Sequence, residues 1–291
     1  MEELYILPFD HRATFIKDLF GYDEPLNKKQ LNDVRAYKEI IWEAFVRVFK
    51  KRPIDRKSLG ILVDEKFGSG ILRKAKQLGI TRILTTEKSG QRVFDFEYGS
   101  KFGHHILKFR PEYAKVLVRY NPANRKDNTI QLMRLKKIND FCAKKKIGFF
   151  FELLVPATDL QKSGDYDLKI RPVLTAKAIG EIRAFGVEPN MWKLEAMPNE
   201  TSWKKIIKAV KTKNKKKAKI VVLGRAGSKK QVSQWLRTAS AFKDIIGFAV
   251  GRTIFLLPLK KYHENKITRK QAIDLIVGDF GYFIDCWKRA R

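Results

Sequence analysis

A lysine lies inside the apolar run Trp192-Lys193-Leu194-Glu195-Ala196-Met197-Pro198, which is entered through Gly186-Val187-Glu188-Pro189-Asn190. An ammonium taken out of water must find a partner or give up its proton. The neutral amine that results is a nucleophile able to form a Schiff base with a carbonyl compound. Snorkelling of the stem, or pairing with Glu195, is the plain alternative. A second lysine, Lys115, sits in the run Tyr113 to Tyr120, and two ammonium groups facing one pocket would lower each other's pKa. Glu152 follows Phe149-Phe150-Phe151. Apolar surroundings would raise its pKa and suit it to general acid and base work, or it would pair with a lysine on a neighbouring strand.

Other polar residues gather just after apolar runs: Asp10, His11 and Arg12, then Glu65 and Lys66, then Glu87 and Lys88, and finally Arg225 after Gly224 and Arg252 after Gly251. Asp10 could polarise a hydroxyl, orient Lys193 or cap the following helix. His11 reads equally as a surface residue or a ligand. The two glycines would admit close backbone approach, and the two arginines would add charge-assisted bonds to a phosphate. No His, Cys, Asp or Glu spacing marks a metal site. The expected chemistry is therefore metal-independent and uses no cofactor.

These residues can meet only if the elements carrying them converge. Short apolar runs at Leu4 to Phe9, Ser58 to Val63, Thr81 to Thr86, Tyr113 to Tyr120, Gly148 to Val155, around Lys193, Ala218 to Leu223 and Ile245 to Val250 alternate with helical patterns. The helices are expected at Leu31 to Val48, Gly70 to Gly79, Asn128 to Lys145, Pro172 to Phe185, Trp203 to Val210 and Trp235 to Phe242, with two closing helices divided near Thr268. That alternation predicts an α/β fold, a single (β/α)8 TIM barrel over residues 1–291, with strand-end residues sharing one pocket. The long connections Lys88 to Pro111 and Pro156 to Arg171 are candidate lids.

Length and composition agree. The chain has 291 residues, 44% of them hydrophobic, enough for a large core without disulfides. Cys142 and Cys286 read as reduced thiols. No apolar run is long enough to span a bilayer and the start does not resemble a signal peptide, so a cytoplasmic protein is expected. The formal charge of +30 makes nucleic-acid binding an alternative. The lysines are scattered, however, and the one dense run, Lys211 to Lys217, reads as a solvated loop.

The segments Phe9-Asp10-His11-Arg12, Val63-Asp64-Glu65-Lys66-Phe67-Gly68, Thr86-Glu87-Lys88, Lys115 to Pro122, Phe151-Glu152-Leu153-Leu154-Val155-Pro156-Ala157-Thr158, Trp192 to Glu195 and Phe248 to Thr253 resemble a known family. They are similar to the aldolase-like domain at the C-terminus of bacterial 5-dehydro-2-deoxygluconokinase fusions, here without the kinase half. More distantly they resemble class I tagatose-bisphosphate aldolase. The resemblance implies a class I aldolase in which Lys193 forms the Schiff base and Glu152 transfers protons. It also implies an active-site lysine at Lys115, an Asp-x-Arg at Asp10 and Arg12, and a phosphate contact at Arg252. Gly224-Arg225-Ala226-Gly227 departs from the Ser-Ala-Gly turn of the tagatose enzyme.

The expected activity is reversible cleavage of a phosphorylated keto-sugar or keto-sugar acid by a carbon–carbon lyase. Lys193, Glu152, Lys115 and Asp10 would be catalytic, with Arg12, Glu87, Gly224, Arg225, Gly251 and Arg252 binding substrate or phosphate. By analogy with the fusion's role in inositol catabolism, 6-phospho-5-dehydro-2-deoxygluconate is the first substrate to try, giving dihydroxyacetone phosphate and malonate semialdehyde. The alternatives are a non-catalytic phosphosugar-binding or regulatory barrel and, ranked last, a basic nucleic-acid-binding protein. No membrane partner is expected, and a homo-oligomer is compatible with the sequence.

Overall fold

The computed structural model describes residues 3–162, 165–211 and 218–291. Of the dense basic run only Lys211 is among them; positions 212–217 lie outside the described residues. Eight parallel strands close into a barrel in chain order: β1 (Leu4–Pro8), β2 (Leu59–Val63), β3 (Thr81–Thr85), β4 (Tyr113–Arg119), β5 (Gly148–Leu154), β6 (Met191–Glu195), β7 (Lys219–Leu223) and β8 (Ile245–Ala249). This is the expected (β/α)8 TIM barrel. The α-helices around it are α1 (Ala13–Phe20), α2 (Lys28–Lys51), α3 (Glu65–Gln77), α4 (Phe102–Phe109), α5 (Arg125–Lys145), α6 (Arg171–Ala184), α7 (Glu200–Val210), α8 (Lys229–Ser240), α9 (Arg252–His263) and α10 (Arg269–Arg289).

The period of two along each strand divides the core into two sets. Leu4, Ile6, Leu62, Ile83, Phe150, Met191, Val221, Ile246 and Ala249 fill the barrel interior. Their neighbours, among them Leu7, Phe149, Phe151, Trp192, Leu194 and Phe248, pack outward into the larger layer beneath the helices. Lys115, Glu152 and Lys193 therefore share the inward parity of Tyr113, Phe150 and Met191. The seam between β1 and β8 is tight. Leu4 pairs with Gly247, where an added Cβ would lie 1.9 Å from the Leu4 carbonyl oxygen, so only glycine lets the strands meet.

Capping chemistry sets several helix starts. Asn27 with Gln30, Ser228 with Gln231, and Thr268 with Gln271 form capping boxes, and the last of these divides the closing helices where the sequence predicts. Four local features differ from the sequence reading. α1 is unpredicted; it is a two-turn helix stopped by Gly21 in the left-handed region, φ 68°. α3 begins at Glu65 rather than Gly70, because the Asp64 side chain accepts from Phe67 N at 2.8 Å. That capping carries Glu65 and Lys66 outward, where Glu65 pairs with His105 and Lys108 and Lys66 with Glu24. α4 forms inside the long connection after β3. The connection after β5 contains two short turns, Asp159–Gln161 and Tyr166–Ile170.

Cys142 and Cys286 are free and buried. Among the described residues no helix is long and apolar enough to cross a membrane.

Candidate active site

A cavity of about 650 Å³ opens at the C-terminal ends of the strands. Its walls include Asp10, His11, Arg12, Glu87, Lys115, Glu152, Lys193, Gly224, Arg225, Gly251 and Arg252, so the residues expected at the site come together there. Glu65 and Lys66 do not, for the capping reason given above.

The floor is an ion cluster built by strand register. Glu152 on β5 is the direct partner of Lys193 on β6, and Thr85 on β3 is the partner of Lys115 on β4. Glu152 Oε1 lies 2.8 Å from Lys193 Nζ, and its Oε2 lies 3.0 Å from Lys115 Nζ. Lys115 Nζ also donates to Asp10 Oδ2 at 2.8 Å and to Glu87 Oε1 at 2.6 Å. The Thr85 hydroxyl donates to the same Asp10 oxygen at 3.0 Å. All five charged side chains are buried, Lys115 to 1% exposure. Two ammonium groups against three carboxylates leave the cluster one negative charge.

This arrangement overturns two electrostatic expectations. Burial would push the Lys115 ammonium towards neutrality, but Asp10, Glu152 and Glu87 hold its pKa above the ordinary lysine value. Burial likewise pushes Glu152 up, but Lys115 and Lys193 together bring it below the usual carboxylate range. The phenylalanines before Glu152 could not produce the raised pKa expected of them. Phe149 and Phe151 face outward, and Phe150 lies below Glu152 in the interior. Asp10 is raised by burial but lowered further by Lys115, and rests well below the usual range. It does not cap α1, whose N-cap is Arg12.

His11 lines the same cavity, packed edge-on against Phe255 with ring centroids 6.2 Å apart. Burial lowers its pKa to about 4, so it is neutral at pH 7. Arg12 is held by Glu97 at 2.8 Å and by the Glu87 carbonyl. Glu97 arrives because the chain after β3 folds back, with an antiparallel bridge between Glu87 and Phe96.

At the opposite wall, Arg225 Nε lies 3.1 Å from Glu195 Oε1, and its Nη1 lies 3.0 Å from Asp167 Oδ1. Arg252 opens α9 directly after β8. That helix has no side-chain cap at Gly251, and Gly251, Arg252 and Thr253 at its start line the cavity. Among the described residues Arg252, Lys88 and Arg119 line the cavity without a carboxylate partner, Arg119 donating instead to the Gln91 carbonyl. The requirement for glycine at 251 has a local cause: an added Cβ would lie 2.2 Å from the Pro8 carbonyl oxygen. At 224 an added Cβ would lie 3.1 Å from Val250 Cγ1.

Glu97 and Asp167 were not anticipated from sequence. Both lie in the long connections after β3 and β5, where strand parity gives no guide. Among the described residues no group of three His, Cys, Asp or Glu side chains is placed to hold a metal ion. The three carboxylates of the floor converge on an ammonium instead.

Two solved structures share this architecture. The Cgl0159 protein of Corynebacterium glutamicum is 14% identical, with a TM-score of 0.59 over 96% of this chain and 85% of its own. Fructose-bisphosphate aldolase of Plasmodium falciparum, solved in complex with TRAP and a small-molecule inhibitor, is 12% identical, with a TM-score of 0.65 over 97% of this chain and 90% of its own. At such identities the likeness concerns the fold. Among curated proteins none matches the sequence. The family description that does match is "Uncharacterized protein conserved in bacteria (DUF2090)"; it covers residues 1–291, and the chain belongs to that family.

Proposed function

We propose that the chain is one aldolase-like domain over residues 1–291, acting as a class I aldolase on a phosphorylated keto-sugar or keto-sugar acid. The observation that carries this reading is Glu152, bridging Lys193 at 2.8 Å and Lys115 at 3.0 Å on the floor of the strand-end cavity. A nucleophilic amine needs a proton acceptor within hydrogen-bond reach, and here the acceptor is the cross-strand partner.

As the substrate enters and displaces water, the cost of keeping a buried ion pair rises, which favours passing the Lys193 proton to Glu152. The freed amine adds to the ketone carbon. The resulting hydroxyl takes a proton from Glu152 and leaves as water, giving an iminium. Glu152 then takes the proton of the β-hydroxyl. The electrons of that O–H bond form the aldehyde carbonyl, the α–β carbon bond breaks, and its electron pair moves into the iminium to give an enamine. Protonation of the enamine carbon and addition of water release the ketone product and restore Lys193. The iminium nitrogen is the electron sink, so these steps need no metal or cofactor.

Lys115, fixed by Asp10 and Glu87, keeps Glu152 oriented and supplies positive charge beside developing oxyanions. Arg252 and the first turn of α9 would hold the phosphate. By the resemblance to the kinase-fusion domain, 6-phospho-5-dehydro-2-deoxygluconate is the first substrate to assay, with dihydroxyacetone phosphate and malonate semialdehyde as products. Borohydride reduction in the presence of dihydroxyacetone phosphate should leave a stable adduct on the peptide containing Lys193. Absence of an adduct, or an adduct on another lysine, would overturn the proposal.

A further inference from the structure

Arg225 lines the cavity in the turn after β7, where a phosphate contact is expected from sequence, yet its charge is already committed. Glu195 lies two residues beyond Lys193 on the same inward face of β6 and is buried. One of its oxygens accepts from Val155 N at 3.1 Å, and the other faces Arg225 Nε at 3.1 Å. Without Arg225, a buried carboxylate would look into the cavity with only a backbone N–H to offset its charge.

The other end of the guanidinium meets Asp167 in the Tyr166–Ile170 turn. That same Asp167 oxygen accepts from Arg171 Nε at 2.7 Å, and Arg171 Nη2 donates to the Ala196 carbonyl at 2.9 Å. Tyr166 donates its hydroxyl to the Val155 carbonyl. The turn is thus tied to the ends of β5 and β6, and through Arg225 to the turn after β7. Two guanidinium groups and two carboxylates balance, leaving this wall without net charge. Arg225 also carries a left-handed backbone, φ 46°, followed by Ala226 at φ 54°. For residues other than glycine this conformation is held only where surrounding contacts sustain it.

We propose that Arg225 is a positioning residue rather than a ligand for the substrate's anion: it neutralises Glu195, fastens the Tyr166–Arg171 segment through Asp167, and leaves Arg252 to take the anion. This wall is then a neutral, hydrogen-bonding surface suited to sugar hydroxyls, and the anionic group lies on the β8 side. The assignment deepens the phosphosugar reading of the cavity and rests on it for the identity of the ligand.

Arg225→Gln, Glu195→Gln and the double variant separate the two roles. Inorganic phosphate serves as the anion probe, and amide hydrogen exchange over residues 165–171 reports on the segment. Arg225→Gln should speed that exchange by roughly three- to tenfold, the effect of losing partly exposed ion pairs. It should also weaken phosphate binding, because Glu195 is left uncompensated. Adding Glu195→Gln should return phosphate affinity to within about twofold of wild type, while exchange stays fast. Arg252→Gln should lose phosphate binding with exchange unchanged.

Equal loss of phosphate affinity in Arg225→Gln and in the double variant would make Arg225 a direct ligand and overturn the proposal. Unchanged exchange in Arg225→Gln would overturn it as well, whatever phosphate does. Schiff-base trapping is read separately: failure to trap at Lys193 removes the aldolase activity but leaves the exchange result to decide the role of Arg225.

Discussion

Glu152 and Lys193 are direct partners across two parallel strands, and their side chains meet at 2.8 Å inside the barrel. Parallel pairing fixes this contact through backbone hydrogen bonds, so it does not depend on loop conformation. A base and a nucleophile placed in this way are held ready before substrate arrives.

Lys193→Met should abolish borohydride trapping and cleavage together, with kcat reduced by on the order of 10³ or more. Glu152→Gln should retain some trapping but slow turnover by roughly 10² to 10⁴, the usual worth of a positioned acid–base group. Rapid-quench measurement of adduct formation distinguishes the two. Adduct formation should slow as well in Glu152→Gln, because Glu152 frees the Lys193 amine; an adduct formed at the wild-type rate would confine the carboxylate to carbon–carbon cleavage.

Lys115→Met should cost more stability than Lys193→Met. Removing Lys193 leaves Glu152 paired with Lys115, whereas removing Lys115 strands Asp10 and Glu87 in the interior. Losing one partner of a buried pair costs roughly 3–5 kcal/mol, and each kcal/mol lowers Tm by about 2–4 °C in a protein near this size. The sign of the pH effect follows from Asp10, whose folded pKa is depressed. Its contribution is present above the unfolded carboxylate range near pH 4 and is lost as pH falls through the folded value. Acidification should therefore narrow the gap between Lys115→Met and wild type. A gap independent of pH would contradict the ion-cluster account.

His11 gives a second pH effect of distinct origin. Its folded pKa, lowered by burial to about 4, lies below the unfolded value near 6.5. The unfolded chain thus binds more protons in that window, and stability should fall as pH drops from about 6.5 towards 4. His11→Gln should flatten this part of a plot of Tm against pH. A slope unchanged by the substitution would assign it to other groups.

Arg252→Gln should raise KM for a phosphorylated substrate by roughly 10- to 100-fold, the worth of one or two hydrogen bonds to a charged group. Turnover at saturation should change little, because the phosphate is remote from the breaking bond. A fall in kcat without a change in KM would place Arg252 in the chemistry rather than in binding.

The barrel was legible because eight apolar runs alternate with helical periodicity, and alternation is what a parallel sheet wrapped by helices requires. The inward parity of Lys115, Glu152 and Lys193 is legible for the same reason. What periodicity does not encode is which neighbour each charge meets. Glu195, a plausible partner for Lys193 by proximity in sequence, is taken instead by Arg225 from the next strand's turn. Of the two readings of Glu152, the pairing with a neighbouring-strand lysine holds and the apolar one does not, because the adjacent strands bring a lysine to each of its oxygens. α1 and α4, each eight residues long, are too short for a periodic signal. Glu65 resembles a strand-end site residue until Asp64 is recognised as a helix cap.

The seam at Leu4 and Gly247 has a consequence for biosynthesis. Of the eight barrel strands β1 is made before the others and is completed only by β8, some 240 residues later, so the sheet keeps two open edges until all eight strands have been made. A nascent chain must protect β1 through that interval. Slowing translation within the final helices, or replacing Gly247 with alanine, should therefore harm yield of folded protein more than it harms the finished barrel's chemistry.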